Sequence, residues 1–301
     1  MYNGIINVYK EAGFTSHDVV AKLRGILKQK KIGHTGTLDP QAVGVLPVCL
    51  GSGTKLCDML TDKDKEYIAE LLLGVSTDTQ DMEGRILRQR LVAASEGEVR
   101  EAVMAFVGEY AQIPPMYSAL KVNGKKLYEL ARAGREIERK PRPVQIREME
   151  ILEMDMPVVK LRVVCSKGTY IRTLCADIGE SLGCGGAMKS LVRSRVGQFM
   201  LRDALTLARL EELRDQDRLG EALLPVEQVF GDCPILHVKA SWERLLKNGN
   251  ALYPEQTEEG LLYEEGRFVR FCGPEEGFAG IYAYHGEEGR YQPVKMFLNQ
   301  E

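Results

Sequence analysis

The chain has 301 residues, with 40 Lys and Arg against 43 Asp and Glu and a formal net charge of −3. That length is generous for one domain and points to two, and the composition is that of a folded globular protein rather than a disordered or fibrous one. No stretch approaches the roughly 18 uninterrupted apolar residues of a membrane span, and Met1 to Val8 lacks the basic-then-apolar order of a secretory leader, so a cytoplasmic protein is expected.

Seven cysteines form no Cys-x-x-Cys pair and four histidines no His-x-x-x-His pair, so neither a structural metal nor a disulfide framework is expected. The thiols read as reduced small hydrophobes. The net charge hides an asymmetry: residues 1–202 carry 30 basic and 24 acidic side chains, residues 203–301 carry 10 and 19. Three basic patches stand out. Lys22 to Lys31 and Lys189 to Arg202 contain no acid, and residues 116–147 hold nine basic side chains against three acidic ones. Patches of this kind in one half of a chain favour a polyanionic partner.

In chain order, Gly4 to Tyr9 is expected as a strand, and Thr15 or Ser16 caps a helix with Val19, Val20, Leu23, Ile26 and Leu27 on one face. A loop around Asp39 follows. Gly33, Gly36 and Gly44 permit close approach or positive φ, and Pro40 pushes Asp39 toward an extended backbone, so these restraints aim a single carboxylate. The plain alternative is an ordinary Asp-Pro turn. Ala42 to Leu50 reads as a strand, Thr54 to Leu60 as a brief helix, and Glu66 to Leu73 as an apolar strand ending at Gly74. Glu98 to Val107 has Val99, Val103, Phe106 and Val107 at helical spacing. Val144 to Met154 and Val158 to Cys165 form a strand pair turned at Pro157, and Thr169 to Leu182 is a helix with Ile171, Leu174, Cys175, Ile178 and Leu182 on its buried stripe.

Strands and helices intermix without a βαβα repeat, which implies an α+β core around a mixed or antiparallel sheet. A boundary between Leu224-Pro225 and Cys233-Pro234 divides the chain into residues 1–230 and 233–301. In the tail, Ala240 to Lys247 is expected as a short helix ending at Asn248-Gly249, with glycine-punctuated short strands after it.

The run from Gly33 to Pro47, with His34, Gly36, Thr37, Leu38, Asp39, Pro40, Ala42, Gly44 and Leu46 in order, resembles the signature of TruB-type tRNA pseudouridine synthases. Further segments carry the same likeness. These are Lys65 to Gly74 with Tyr67, Ser76 to Gly84, Ile113 to Arg132, Gly168 to Leu174 with Arg172, and Leu191 to Phe199. Lys10 to Ser16 resembles the family's N-terminal segment, with Glu11 in place of the usual proline. The resemblance is strong over residues 4–202. More weakly, Leu245 to Leu252 and Phe278 to Tyr282 resemble a PUA domain, a small β-barrel-like RNA-binding module.

The resemblance implies a pseudouridine synthase catalytic core over 1–230, an RNA-clamping insert at about 108–140 and a PUA-like domain over 233–301. It implies isomerisation of uridine to pseudouridine at position 55, in the T-loop of tRNA, with no cofactor or metal. Asp39 would be the nucleophile and Arg172 its partner. Tyr67 would stack on the base or assist proton transfer, Leu191 would floor the pocket, and His34 would fill space vacated in the loop. Lys10, Lys121, Lys125, Lys126 and Arg132 would bind substrate. The target base must leave its stack to be reached. Attack at C1′, attack at C6 and abstraction of a sugar proton all remain open to Asp39, and each requires an ionised carboxylate.

The expected partner is the tRNA T-arm, with no obligate protein partner and a monomeric enzyme. Two rivals are a guide-RNA-dependent rRNA pseudouridine synthase and a non-catalytic tRNA-binding or tRNA-folding module. A nucleotide-triphosphate enzyme is disfavoured because Gly51-Ser52-Gly53-Thr54-Lys55 lacks the P-loop order and spacing.

Overall fold

The computed structural model describes residues 1–122, 124–275 and 277–298. Asn123 of the insert motif and residues 299–301 of the expected tail domain lie outside the described residues. The chain opens with β1 (Gly4–Lys10) and α1 (Ser16–Leu27). Thr15 caps α1 reciprocally: its Oγ1 accepts from the Asp18 N–H at 3.1 Å, and the Asp18 carboxylate accepts from the Thr15 N–H at 2.8 Å. β2 (Ile32–His34) and β3 (Val43–Leu50) flank the Asp39 loop. The brief helix expected at 54–60 is a 3-10 turn at Gly51–Leu56 followed by α2 (Cys57–Thr61).

β4 (Lys65–Leu73) buries every second residue, from Lys65 through Tyr67, Ala69 and Leu71 to Leu73, as a strand with one face on the core must. A hairpin of β5 (Val75–Thr77) and β6 (Ile86–Gln89) follows. α3 (Glu96–Met104) is capped by Ser95 and stops short of the expected Val107; Phe106 reaches the core from the turn after the helix. β7 (Gly108–Gln112) leads into the insert, where β8 (Lys121–Val122), β9 (Lys125–Lys126) and α4 (Leu127–Arg132) form a compact unit.

Next come β10 (Arg142–Asp155), β11 (Val158–Cys165), α5 (Ile171–Ser181), β12 (Gly186–Val196), β13 (Phe199–Met200) and α6 (Leu207–Asp215). The last segment holds β14 (Ile235–His237), α7 (Glu243–Lys247), β15 (Phe268–Gly273), β16 (Gly277–His285) and β17 (Arg290–Met296).

The central sheet runs β1-β3-β12-β4-β11-β10-β7, with β2 beside β3 and β13 beside β12. Among the described residues, the strands of this sheet pair antiparallel except for β3 and β12, which pair in parallel, so the fold is α+β with a mixed sheet, as expected from the sequence. Directly paired residues share a face. A row of Lys10, Gly44, Arg193, Tyr67 and Val163 therefore crosses five strands on one side. On that side α1 and α6 cover β1 and β3 through Val19, Leu23 and Leu210, while α3 and α5 cover β4, β11 and β12 through Val99, Leu174 and Ile178. The Asp39 loop meets α1 through Ser16 and α5 through Arg172. The alternate residues of β1 and β3, including Ile5, Val45 and Cys49, pack with Phe199, Val226 and Phe230 and with Ile281 and Phe297 of the C-terminal segment. Four strands, β14-β15-β16-β17, form that segment's own sheet.

Candidate active site

Asp39 starts a tight turn in which the Ala42 N–H donates to the Asp39 carbonyl at 3.1 Å, with Pro40 at the position that favours its fixed φ. The ordinary-turn reading and the aimed-carboxylate reading both hold here. The loop is fastened from below and beside. The Leu38 N–H donates to Ser16 Oγ at 3.0 Å, and the Pro40 carbonyl accepts from the Gly13 N–H at 3.0 Å and from Lys10 Nζ at 2.9 Å. Gly44 takes φ 110°, and a Cβ there would stand 2.3 Å from the Arg193 carbonyl oxygen. No other residue fits.

Arg172 is the second residue of α5, where a cation opposes the helix dipole, and only 5% of it is exposed. Its partners explain its place. Nε meets Asp39 Oδ2 at 3.0 Å and Nη2 donates to Asp39 Oδ1 at 3.3 Å, a bidentate grip on the carboxylate. The other donors reach Asp81 Oδ2 at 3.2 Å and the carbonyls of Thr79 at 3.2 Å and Tyr117 at 2.8 Å. Nη1 and Nη2 thereby donate four hydrogen bonds, and Nε adds an ion-pair contact. The helix begins at Ile171 rather than Thr169 because Tyr170 stays extended, held by the buried Gln112 side chain. Gln112 Oε1 accepts from the Tyr170 N–H at 2.7 Å and Nε2 donates to the Tyr170 carbonyl at 3.0 Å.

Burial pushes the Asp39 carboxyl above its ordinary pKa, opposed by Arg172, reinforced by Asp81 and opposed more weakly by Lys10. Desolvation is the largest of these effects, and Arg172, which opposes it, also meets Asp81. Tyr67 is 8% exposed, and burial raises its phenol above its usual pKa with the Arg193 guanidinium opposing. Tyr67, Leu191, Leu38 and Ala42 belong to one packed cluster, so the loop, the tyrosine and the leucine converge as expected. His34 sits at the end of β2 with Nδ1 accepting from the Gly36 N–H at 3.3 Å and its ring edge-on to His17 at 5.4 Å. Burial, then the charges of His17 and Arg193, lower its pKa, so the neutral ring carries its proton on Nε2.

Two family models match: the TruB family pseudouridylate synthase N-terminal domain over residues 24–171 and the tRNA pseudouridylate synthase B C-terminal domain over residues 172–230. The chain belongs to the TruB pseudouridylate synthase family. It is 55% identical to the tRNA pseudouridine synthase B of Lachnoclostridium phytofermentans, over 98% of this chain and 100% of the relative. It is 43% identical to that of Staphylococcus aureus, over 99% and 100%. Among solved structures it resembles a chain of an H/ACA RNP bound to a substrate RNA containing 2′-deoxyuridine, at 25% identity and a TM-score of 0.74, covering 99% of this chain and 86% of that one. It also resembles a chain of a Cbf5-Nop10-Gar1 complex, at 27% identity and a TM-score of 0.74, over 98% and 85%.

In this TruB-family chain Lys10 lies beneath the loop rather than at its mouth. It is fully buried, with Nζ on the carbonyls of Glu11 and Pro40, and burial lowers its pKa to about 8. The reason is register: Lys10 is the last residue of β1, opposite Gly44. The insert touches the site through the Tyr117 carbonyl and is anchored by Leu127, which is fully buried. Lys121, Lys125 and Arg132 are exposed, while Lys126 Nζ donates to the Tyr128 hydroxyl at 3.2 Å. Lys126 and Arg132 both stand over the Tyr128 ring, at 5.3 and 5.5 Å.

Of the three basic patches, Lys22 to Lys31 is exposed at all five of its cations. Lys189 to Arg202 differs from expectation. Lys189 pairs with Glu70, Arg195 with Glu66 and Arg202 with Asp203, and Arg193 is buried. Glu70 and Glu66, distant in sequence, and the adjacent Asp203 neutralise that patch, so counting charges within the run overstated it.

Sequence reasoning missed Asp81 and Arg193 as parts of the site. Asp81 lay within the 76–84 segment that carries the family likeness. Arg193 carried a signal too, since it falls on the inward face of β12 two residues from Leu191, where an arginine is out of place.

Proposed function

We propose that this protein isomerises uridine to pseudouridine in the T-loop of tRNA, at position 55, with Asp39 as the nucleophile and the target base flipped out of the loop. The observation that carries the proposal is the bidentate Arg172 grip on Asp39 beside Tyr67 and Leu191, in a chain whose 55%-identical relative is named tRNA pseudouridine synthase B. The reaction breaks the bond from C1′ to N1, turns the base and joins C1′ to C5, with the C5 proton lost and one regained at N1. Asp39 keeps 40% of its side chain open, as a nucleophile must. Tyr67, a neutral phenol under burial, stacks on the base or passes a proton, and Leu191 supports the base from below. His34 fills the place the base leaves. Lys10 acts through the Pro40 carbonyl, and Lys121, Lys125, Lys126 and Arg132 meet the RNA backbone from the insert. The site needs no cofactor, and the setting is the cytoplasm.

The higher identity to relatives named for tRNA than to the H/ACA chains favours a tRNA enzyme over a guide-RNA-dependent one. The test is incubation of the purified chain alone with an unmodified T-arm stem-loop, followed by pseudouridine mapping. Modification at the T-loop uridine without guide RNA or partner protein is expected. No product, or product only with a guide RNA, overturns the reading.

A further inference from the structure

Arg193 is the largest fully buried side chain among the described residues, 1% exposed. Among those residues no carboxylate lies within ion-pair distance of it. Burying an unpaired guanidinium is costly, and an apolar residue of similar volume would ordinarily serve a core better. What surrounds it is the Asp39 loop. Nη2 donates to the Gly36 carbonyl at 3.2 Å and Nη1 to the Thr37 carbonyl at 3.5 Å on the limb before Asp39. Nε donates to the Val45 carbonyl at 2.7 Å on the limb after it. The same residue stands directly opposite Tyr67 across the β12–β4 pair, and its guanidinium faces the Tyr67 phenol. A register shift at Ser194 breaks the β12 ladder immediately after it, a device that re-aims strand side chains beside active sites.

We infer that Arg193 is a positioning residue of the pocket, clamping both limbs of the Asp39 loop and bracing Tyr67, so that it sets the spacing between carboxylate and ring. The inference rests on the proposed reading for its catalytic consequence, though the clamp is a property of the free protein. Only a planar fork reaches donors to both limbs at once; a lysine offers one point of charge and a methionine offers no donor. Arg193 lies beneath the pocket and does not touch substrate.

The experiment compares the wild type, Arg193→Lys and Arg193→Met in two measurements. The first is amide hydrogen exchange of residues 36–45 in the free protein, where the Leu38 and Ala42 amides are bonded. The clamp requires these amides to exchange at least tenfold faster in both variants, with the helix amides of α1 and α5 unchanged. The second is single-turnover pseudouridine formation with saturating T-arm RNA, beside RNA affinity. The rate should fall at least tenfold in Arg193→Lys and further in Arg193→Met, with affinity within about twofold of wild type and the acid limb of the pH profile unmoved.

Unchanged exchange at 36–45 overturns the clamp whatever the rate does. Faster exchange with an unchanged rate overturns its role in positioning. Exchange that rises throughout the molecule, with rate and affinity falling together, makes Arg193 a general core residue and also overturns the inference. Should Arg193→Met not fold, Arg193→Lys decides alone. A wild type that forms no pseudouridine refutes the proposed function instead, and the exchange data then judge the clamp separately.

Discussion

Asp39 is held by more groups than a surface turn requires, and each makes a measurable demand. Asp39→Asn keeps shape and removes the charge, so product formation should vanish while T-arm affinity stays within about twofold; turnover at even a few per cent would refute the nucleophile. Arg172→Ala leaves Asp39 and Asp81 facing each other without their shared cation and frees the carboxylate to rotate. Misplacement of a reacting group costs on the order of 100-fold, and the single-turnover rate should fall by that much or more. Arg172→Lys should not restore it, because a lysine cannot serve both Asp39 oxygens.

Because burial raises the Asp39 pKa, the acid limb of the rate should lie above the ordinary aspartate value of 3.8. The activity is lost as pH falls through that raised value. The stability effect has the opposite sense. Between the ordinary and raised values the folded state binds more protons than the unfolded, so stability falls as pH rises through that window. Asp39→Asn should remove this fall, which pH-dependent denaturant titration of both proteins would detect.

Two elements carry the site's approach and its footing. The β8–β9–α4 unit presents Lys121, Lys125 and Arg132 to solvent above a buried Leu127. Lys125→Ala with Lys126→Ala should weaken RNA binding and reduce the salt slope by about 0.7–0.9 for each phosphate no longer neutralised. The rate at saturating RNA should hardly change. A slope equal to wild type would place the RNA elsewhere. At the other side, the α1 cap fixes Ser16, whose hydroxyl holds Leu38 next to Asp39. Thr15→Ala should cost about 0.5–2 kcal/mol in a denaturant melt.

The two sheets share a core. Ile281 and Phe297 of the C-terminal segment pack with Val45, Cys49 and Phe230, and Lys295 Nζ reaches Asp58 at 2.6 Å. We expect one cooperative transition by calorimetry, and a loss of about 2–5 kcal/mol for Ile281→Ala through the cavity it leaves. A separate early melt of the tail would show that the shared cluster does not couple the halves.

Patterns confined to one element were legible in advance. The apolar strand at Glu66 to Leu73, the stripe and cap of α1, the turn at Pro157 and the aimed Asp39 loop each depend on residues close in sequence, whose patterns express local geometry. Arg172 and Leu191 were reachable through motif likeness. Asp81, Tyr117 and Arg193 became part of the site only when β12 settled between β3 and β4 and the 76–84 loop and the insert folded over α5. The same pairings neutralised the Lys189 to Arg202 patch. Which strands lie side by side, and which charges meet, follows from burying the apolar faces of the whole chain together, and that long-range competition leaves no local mark in the order of residues.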